Sequence, residues 1–118
     1  TILLNIIYAG EYKTMMPKLK STNFLGMELI RPLYYVKEND IISWKNYCGL
    51  EFLDCACTVT SRDVGKRKEI KDLINSLRKL DKNIDIHILR SSENVNIDAV
   101  LGYKDSKGKH SFMDYYDE

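Results

Sequence analysis

Two thiols one residue apart, in Cys55-Ala56-Cys57, are the side chains of this 118-residue chain best suited to metal chemistry. In extended backbone, residues i and i+2 point to the same side, so both sulfurs could reach one metal ion or cluster. A complete zinc or iron–sulfur site takes about three or four ligands. The other candidates are Cys48, His87 and His110, and none stands at ligand spacing. Buried structural cysteines and a ligand role both remain open, the second requiring further ligands from elsewhere. A second place for chemistry is the corner Ile30-Arg31-Pro32-Leu33, where a short apolar strand stops at a proline that has no amide hydrogen for a sheet ladder. In open α/β sheets, ligands bind at the carboxyl ends of strands. The sequence holds no Gly-rich phosphate loop, no Ser/His/Asp arrangement and no internal repeat.

The elements that position these residues follow from periodicity. Met27, Leu29 and Ile30 predict a strand, and a helix is expected from about Glu38–Asp40, with Ile41, Trp44 or Lys45, and Cys48 on its inner face. Gly49 stands where a helix C-terminus favours positive φ. The opening, Thr1-Ile2-Leu3-Leu4-Asn5-Ile6-Ile7-Tyr8, is apolar almost all round, as a buried helix is. It has no start signal, so the chain reads as cut in mid-helix. Glu11 to Phe24 reads as a loop carrying Lys13, Lys18, Lys20 and the pair Met15-Met16. Leu50 to Asp54 is expected to be extended, and Thr58 to Gly65 to be a polar lead into the next helix.

That helix is the clearest in the chain, with Ile70, Leu73, Ile74, Leu77 and Leu80 at three- and four-residue steps. Lys66, Arg67, Lys68 and Lys71 crowd its expected first turns, where cations oppose the helix dipole. Either an anion sits nearby or these are a solvated face paired with Glu69 and Asp72. Ile84-Asp85-Ile86-His87-Ile88 alternates as a strand does, although Ile84 and Ile88 fit a helix equally. Asn94 to Leu101 is a short apolar segment, Lys104 to Lys109 a turn, and Asp114 to Glu118 an acidic tail.

Composition excludes little. With 18 basic and 17 acidic residues, net charge gives no reason to expect a polyanion. No apolar run reaches the about 18 residues of a membrane helix, and no secretory leader is recognisable. Three cysteines without a framework spacing suit a reducing compartment, so the expectation is a cytoplasmic protein of one domain at most.

Tyr12-Lys13-Thr14-Met15-Met16-Pro17-Lys18-Leu19, Gly26-Met27-Glu28-Leu29-Ile30-Arg31-Pro32-Leu33, Asp40-Ile41-Ile42 and Cys55-Ala56-Cys57 together resemble the tRNA 2-thiocytidine synthetase family. This is a branch of the PP-loop ATP pyrophosphatases and a relative of tRNA-lysidine synthetase. The likeness continues through Lys66-Arg67-Lys68-Glu69-Ile70-Lys71, Asn94-Val95 and Lys109-His110-Ser111-Phe112, in order along nearly the whole chain. It implies an α/β fold, residues 1–118 being the C-terminal part of a Rossmann-like PP-loop domain (adenine nucleotide alpha hydrolase-like), with a parallel sheet and flanking helices. The N-terminal ATP-binding half, with its Ser-Gly-Gly-x-Asp-Ser loop and a Cys-x-x-Cys, is then expected to be missing, and no catalytic residue falls in this portion.

The resemblance further implies ATP with Mg2+, a [4Fe-4S] cluster, tRNA as substrate, and sulfide or a cysteine desulfurase persulfide as sulfur donor. A homodimer is allowed for. The family's later cysteine motif is Cys-x-x-Cys, whereas here it is Cys-x-Cys, which leaves open which thiol is the ligand; Cys57 is favoured, then Cys55. Arg31 is expected at the nucleotide site. Lys13, Lys18, Lys20, Arg62, Lys66 and Arg67 are expected along the tRNA phosphates. The alternatives are a sister PP-loop enzyme of the 2-thiouridine or lysidine type, and a non-enzymatic module binding RNA or a partner protein.

Overall fold

The computed structural model describes residues 1–52 and 61–116, the side chains of residues 61–63 excepted. Over these residues the chain is mixed α/β and divides into two compact units, Thr1–Asp72 and Leu73–Glu118.

In the first unit, helix α1 runs from Ile2 to Ala9. Two three-residue strands follow, β1 (Lys18–Lys20) and β2 (Glu28–Ile30), paired antiparallel with Lys18 opposite Ile30, Leu19 opposite Leu29 and Lys20 opposite Glu28. The strand expected around Met27–Ile30 is present, and Pro32 follows its end. The loop expected over Glu11–Phe24 is interrupted by β1, because Lys18-Leu19-Lys20 alternates and finds a partner in β2. No signal within Lys18-Leu19-Lys20 alone foretells that pairing. The connection closes on itself: the Ser21 amide donates to the Met27 carbonyl at 2.9 Å, and the Ser21 Oγ accepts from the Phe24 amide at 3.1 Å. Gly26, at φ 80°, takes the left-handed conformation that lets the chain turn into β2.

Helix α2 spans Glu38–Cys48 and ends on Gly49 at φ 64°, as its sequence foretells. Glu38 and Asp40 lie in its first turn and Lys45 in its last, each complementing the helix dipole. Ile41 and Lys45 are half-buried, whereas Trp44 and Cys48 are exposed, so the inner face is narrower than expected.

Helix α3 runs from Ser61 to Leu77, and the boundary between the units falls within it. It starts earlier than expected and takes up Gly65, at a cost of about 1 kcal/mol relative to alanine. Lys66, Arg67, Lys68 and Lys71 therefore lie beyond the first turn, where the dipole effect has faded. Their supposed conflict with the helix dipole is absent. The stripe is shorter too: Ile70 is buried, while Leu80 lies past the helix end and is 85% exposed.

The first unit is held by contacts around α3. The Tyr8 hydroxyl donates to Glu69, which holds the phenol's pKa above its ordinary value, and the Lys66 ammonium sits 5.0 Å from the Tyr8 ring centroid. Lys71 pairs with Glu38 of α2 at 2.8 Å. Ile2 of α1 and Ile70 of α3 are the buried hydrophobic residues among those described, each 7% exposed. The apolar opening helix is thus mostly uncovered, with Ile6, Ile7 and Tyr8 all exposed.

In the second unit, helix α4 covers Ile84–Ser91, so the alternating segment Ile84–Ile88 is helical and the strand reading is overturned. The Asp81 carboxylate accepts from the Asn83 amide at 2.8 Å and turns the chain into the helix. Asp85 in the first turn and Arg90 in the last favour the helix through its dipole, a local signal that period-two counting ignores. Arg78 fixes the start by donating to Asp85 at 3.1 Å and to Asn75 at 3.0 Å. His87 is exposed beside Asp81, as expected of a surface histidine.

The apolar segment after Asn94 forms a 3-10 turn at Ile97–Ala99. Strands β3 (Gly102–Asp105) and β4 (Gly108–Ser111) then make an antiparallel hairpin around the expected turn. The expected acidic tail is instead partly structured. Phe112–Tyr115 forms a second 3-10 turn, closed by reciprocal hydrogen bonds between Ser111 and Asp114. Both sheets among the described residues are two-stranded and antiparallel, and β2 ends in a hairpin corner.

The β3–β4 turn depends on one carboxylate. Asp105 accepts from the Lys107 and Gly108 amides at 2.7 and 3.1 Å and meets His110 Nε2 at 3.1 Å. The His110 hydrogen bond, then the Lys107 amide, hold its pKa below the usual carboxylate value. A depressed folded-state pKa means a stabilising contribution that is present above the unfolded-state value and lost as pH falls through the folded one. The Lys107 and Gly108 amide resonances should therefore hold their positions from neutral pH through the ordinary carboxylate range. They should move toward random-coil values only below it, and Asp105→Ala should abolish that titration.

Candidate functional site

The Met-Pro loop and the Ile30–Tyr34 corner form one built structure. Three successive carbonyls of the loop are taken up by the corner: Met15 by the Tyr34 hydroxyl at 2.7 Å, Met16 by the Arg31 guanidinium at 2.5 Å, and Pro17 by the Arg31 amide at 2.9 Å. The corner turns because Pro32 ends β2 and the Tyr34 amide reaches back to the Arg31 carbonyl at 3.1 Å. At the loop's other end, Asn5 of α1 donates to the Lys13 carbonyl at 2.9 Å. A loop without a regular ladder is thereby held by side chains from α1 and from the β2 corner, with both methionines facing outward.

Arg31, expected at a nucleotide, is half-buried with one N–H pinned to the loop. A guanidinium has five N–H donors in a fixed fork, so the remainder are what it can offer an anion. Lys18 and Lys20 lie on one face of the β1–β2 ribbon, since alternate strand residues share a face. Lys18 pairs with Glu28 at 2.7 Å, an exposed pair worth at most about 1 kcal/mol. Lys13 lies in the adjoining loop, so the structure brings Lys13, Lys18, Lys20 and Arg31 onto one loop and ribbon. Lys66 and Arg67 are on α3, with Lys66 drawn over Tyr8. The Arg62 side chain lies outside the described residues.

Cys55 and Cys57 also lie outside the described residues. Cys48 is an exposed free thiol at the end of α2. Among the described residues, no group of at least three His, Cys, Asp or Glu side chains could hold a metal ion. No helix among them is long and apolar enough to cross a membrane. Sequence reasoning passed over Asn5 and Tyr34. Neither carries a charge or a motif, and only the folded backbone shows which carbonyls they reach.

In comparison with proteins of known name, the chain matches tRNA sulfurtransferases. The particular relatives are named tRNA-cytidine(32) 2-sulfurtransferase. That of Geotalea uraniireducens (strain Rf4) is 35% identical over 95 residues, which are 80% of this chain and 37% of the relative. The Syntrophotalea carbinolica protein is 37% identical over 93 residues, covering 78% and 33%, and that of Coxiella burnetii (strain CbuG_Q212) 30% over 104, covering 88% and 40%. The chain is related in sequence to this family, as its motifs suggest, and spans little more than a third of the length of these curated relatives. No family model matches the chain, and no solved structure does.

Proposed function

We propose that this chain is part of a cytoplasmic, ATP-dependent tRNA sulfurtransferase that makes 2-thiocytidine in the anticodon loop. Similarity to relatives of that name along most of the chain carries the reading. In the proposed reaction the O2 of the target cytidine is activated as its adenylate, with release of pyrophosphate, and a sulfur nucleophile then displaces AMP. The nucleotide site, with Mg2+, and the first part of a PP-loop parallel sheet would be contributed by sequence beyond this chain, and a homodimer is compatible with the reading.

The donor chemistry of the cysteine motif suits an iron–sulfur cluster, since thiolates are the usual ligands of such clusters. Cys57, with Cys55 as the alternative, would hold a [4Fe-4S] cluster jointly with thiols from elsewhere. When bound, the cluster would supply an iron able to hold an exogenous sulfide, delivered as such or released from a persulfide by an external thiol reductant, which is oxidised to its disulfide. The residues of this chain would bind and orient the tRNA. Lys13 would meet phosphates from the loop, Lys18 and Lys20 from the ribbon, and Arg62, Lys66 and Arg67 from α3. Arg31 and Tyr34 would hold the loop that presents the first set.

The full-length protein, reconstituted anaerobically with iron and sulfide, tests this reading. It should show a cluster absorption band that disappears in the Cys55→Ser, Cys57→Ser double variant, together with 2-thiocytidine in the treated tRNA. A band that survives the double substitution removes these thiols from the cluster. Absence of 2-thiocytidine from fully loaded enzyme with ATP and sulfide would sink the activity. Reversing Lys66 and Arg67 to glutamate should weaken tRNA binding and lower the slope of log affinity against log salt, because fewer phosphate counterions are released.

A further inference from the structure

The second unit holds a cavity of about 280 Å3, with Tyr103, Phe112, Tyr115 and Tyr116 among its lining residues. Its walls come from the β3–β4 hairpin and the two 3-10 turns that flank it. Tyr103 is braced from both sides. Its ring stacks on His110 at 4.6 Å between centroids, and its hydroxyl meets that of Tyr115 at 3.2 Å. His110 is in turn held by Asp105, so this wall is set before any ligand arrives. The volume falls just below the usual range for small-molecule sites, which begins at about 300 Å3. It suits one compact group and not a whole cofactor.

Asp98 is the charged residue of this lining, to which no lysine or arginine belongs. Lys104 and Lys109 pair across the hairpin on the face opposite Tyr103 and His110, because successive strand residues alternate sides. On the turn after the hairpin, Asp114 adds a second carboxylate, bound to the amide of the lining residue Ser111 at 2.7 Å. The charge at the cavity therefore favours a cation over an anion. Three hydroxyls of the lining are already engaged: those of Tyr103 and Tyr115 meet each other, and Ser111 Oγ accepts from the Met113 amide at 3.3 Å. An ammonium carrying three N–H donors would have to compete for them. A quaternary ammonium has no donor to satisfy, and the electron-rich faces of aromatic rings attract it directly.

We propose that this cavity seats a quaternary methylated ammonium group, with the four aromatic side chains about its methyl groups and the Asp98 carboxylate as its counter-charge. The seat lies wholly within the second unit and does not rest on the tRNA reading. Tyr116 is the most informative position to change. It lines the cavity, is 73% exposed, and sits at the end of the last 3-10 turn.

The test titrates the full-length protein calorimetrically with choline and with dimethylbutanol, the neutral isostere that has carbon in place of the ammonium nitrogen. Choline should bind at least about tenfold more tightly, since the isostere keeps the shape and loses the charge. Tyr116→Leu keeps an apolar side chain without the ring and should weaken choline about fivefold, the loss of one cation–π contact at an exposed site. Its affinity for dimethylbutanol should stay as in the wild type, and Tyr116→Phe, which retains a ring, should restore choline binding. Asp98→Asn should bring choline down toward the affinity of the isostere. A trimethyllysine peptide that binds more tightly than choline assigns the seat to a protein side chain, and the reverse order assigns it to a free small molecule. Dimethylbutanol binding as tightly as choline, or choline binding undiminished in both Tyr116→Leu and Asp98→Asn, would overturn the seat.

Discussion

Heating the isolated 118-residue chain as a dilute monomer should produce a broad, gradual loss of helix and no cooperative heat-absorption peak. Among the described residues only Ile2 and Ile70 are buried hydrophobics, and one such side chain contributes about 1.5–3 kcal/mol when fully buried. Each ordered residue meanwhile costs about 1–2 kcal/mol of backbone entropy. Unspent apolar surface is abundant, from Leu25, 98% exposed, to Trp44, 54% exposed. Contacts such as Lys18–Glu28 and Lys71–Glu38 are exposed ion pairs, and they do not make up for a missing core. Differential scanning calorimetry on dilute samples gives the answer. A single sharp transition with the about 80 kcal/mol expected of a folded domain of this length would show that the chain builds its core unaided.

The second large effect is expected at the Met-Pro loop. Arg31→Ala should release the Met16 carbonyl, and Tyr34→Phe the Met15 carbonyl, so that the double variant loses both side-chain anchors and keeps the Arg31-to-Pro17 backbone bond. A hydrogen bond from a charged donor contributes about 1.5–3 kcal/mol and a neutral one about 1 kcal/mol. Solvent access to this hydrogen bond puts its contribution at the lower end. In the full-length protein, amide exchange across residues 13–20 should speed up about tenfold in Arg31→Ala, with a smaller change in Tyr34→Phe. Exchange at α4, in the other unit, serves as the control and should stay at its wild-type rate. If the loop also presents Lys13, Lys18 and Lys20 to tRNA, Arg31→Ala should weaken tRNA binding. Arg31→Lys restores the charge without the planar fork and should recover little of the loop's protection. Unchanged exchange in Arg31→Ala would mean that the guanidinium does not hold the loop.

The elements legible in the sequence were those whose signals are local. Helix α2 was foretold at both ends, because acidic residues favour its start and Gly49 takes the left-handed conformation at its finish. Pro32 marked the end of β2, and Lys104–Lys109 marked the β3–β4 turn, for equally local reasons. The relationship to the tRNA sulfurtransferases was legible as well, since residue order along the chain survives whatever the fold does with it. Periodicity misled where two periods fit: Ile84–Ile88 alternates, yet Asp81 and the charges of Asp85 and Arg90 make it a helix.

Only the tertiary structure decided what depends on partners distant in sequence. Lys18-Leu19-Lys20 is a strand because Glu28–Ile30 lies beside it. Arg31 holds a loop because the Met16 carbonyl is within its reach, and the cations of α3 sit clear of the dipole because the helix begins at Ser61. Tyrosines scattered from Tyr103 to Tyr116 become one cavity wall through the hairpin register and the turn after it. Residue type and spacing determine what a short segment favours by itself. Which side chain meets which carbonyl or ring is set by the path of the folded backbone, and that path is recorded in no single stretch of sequence.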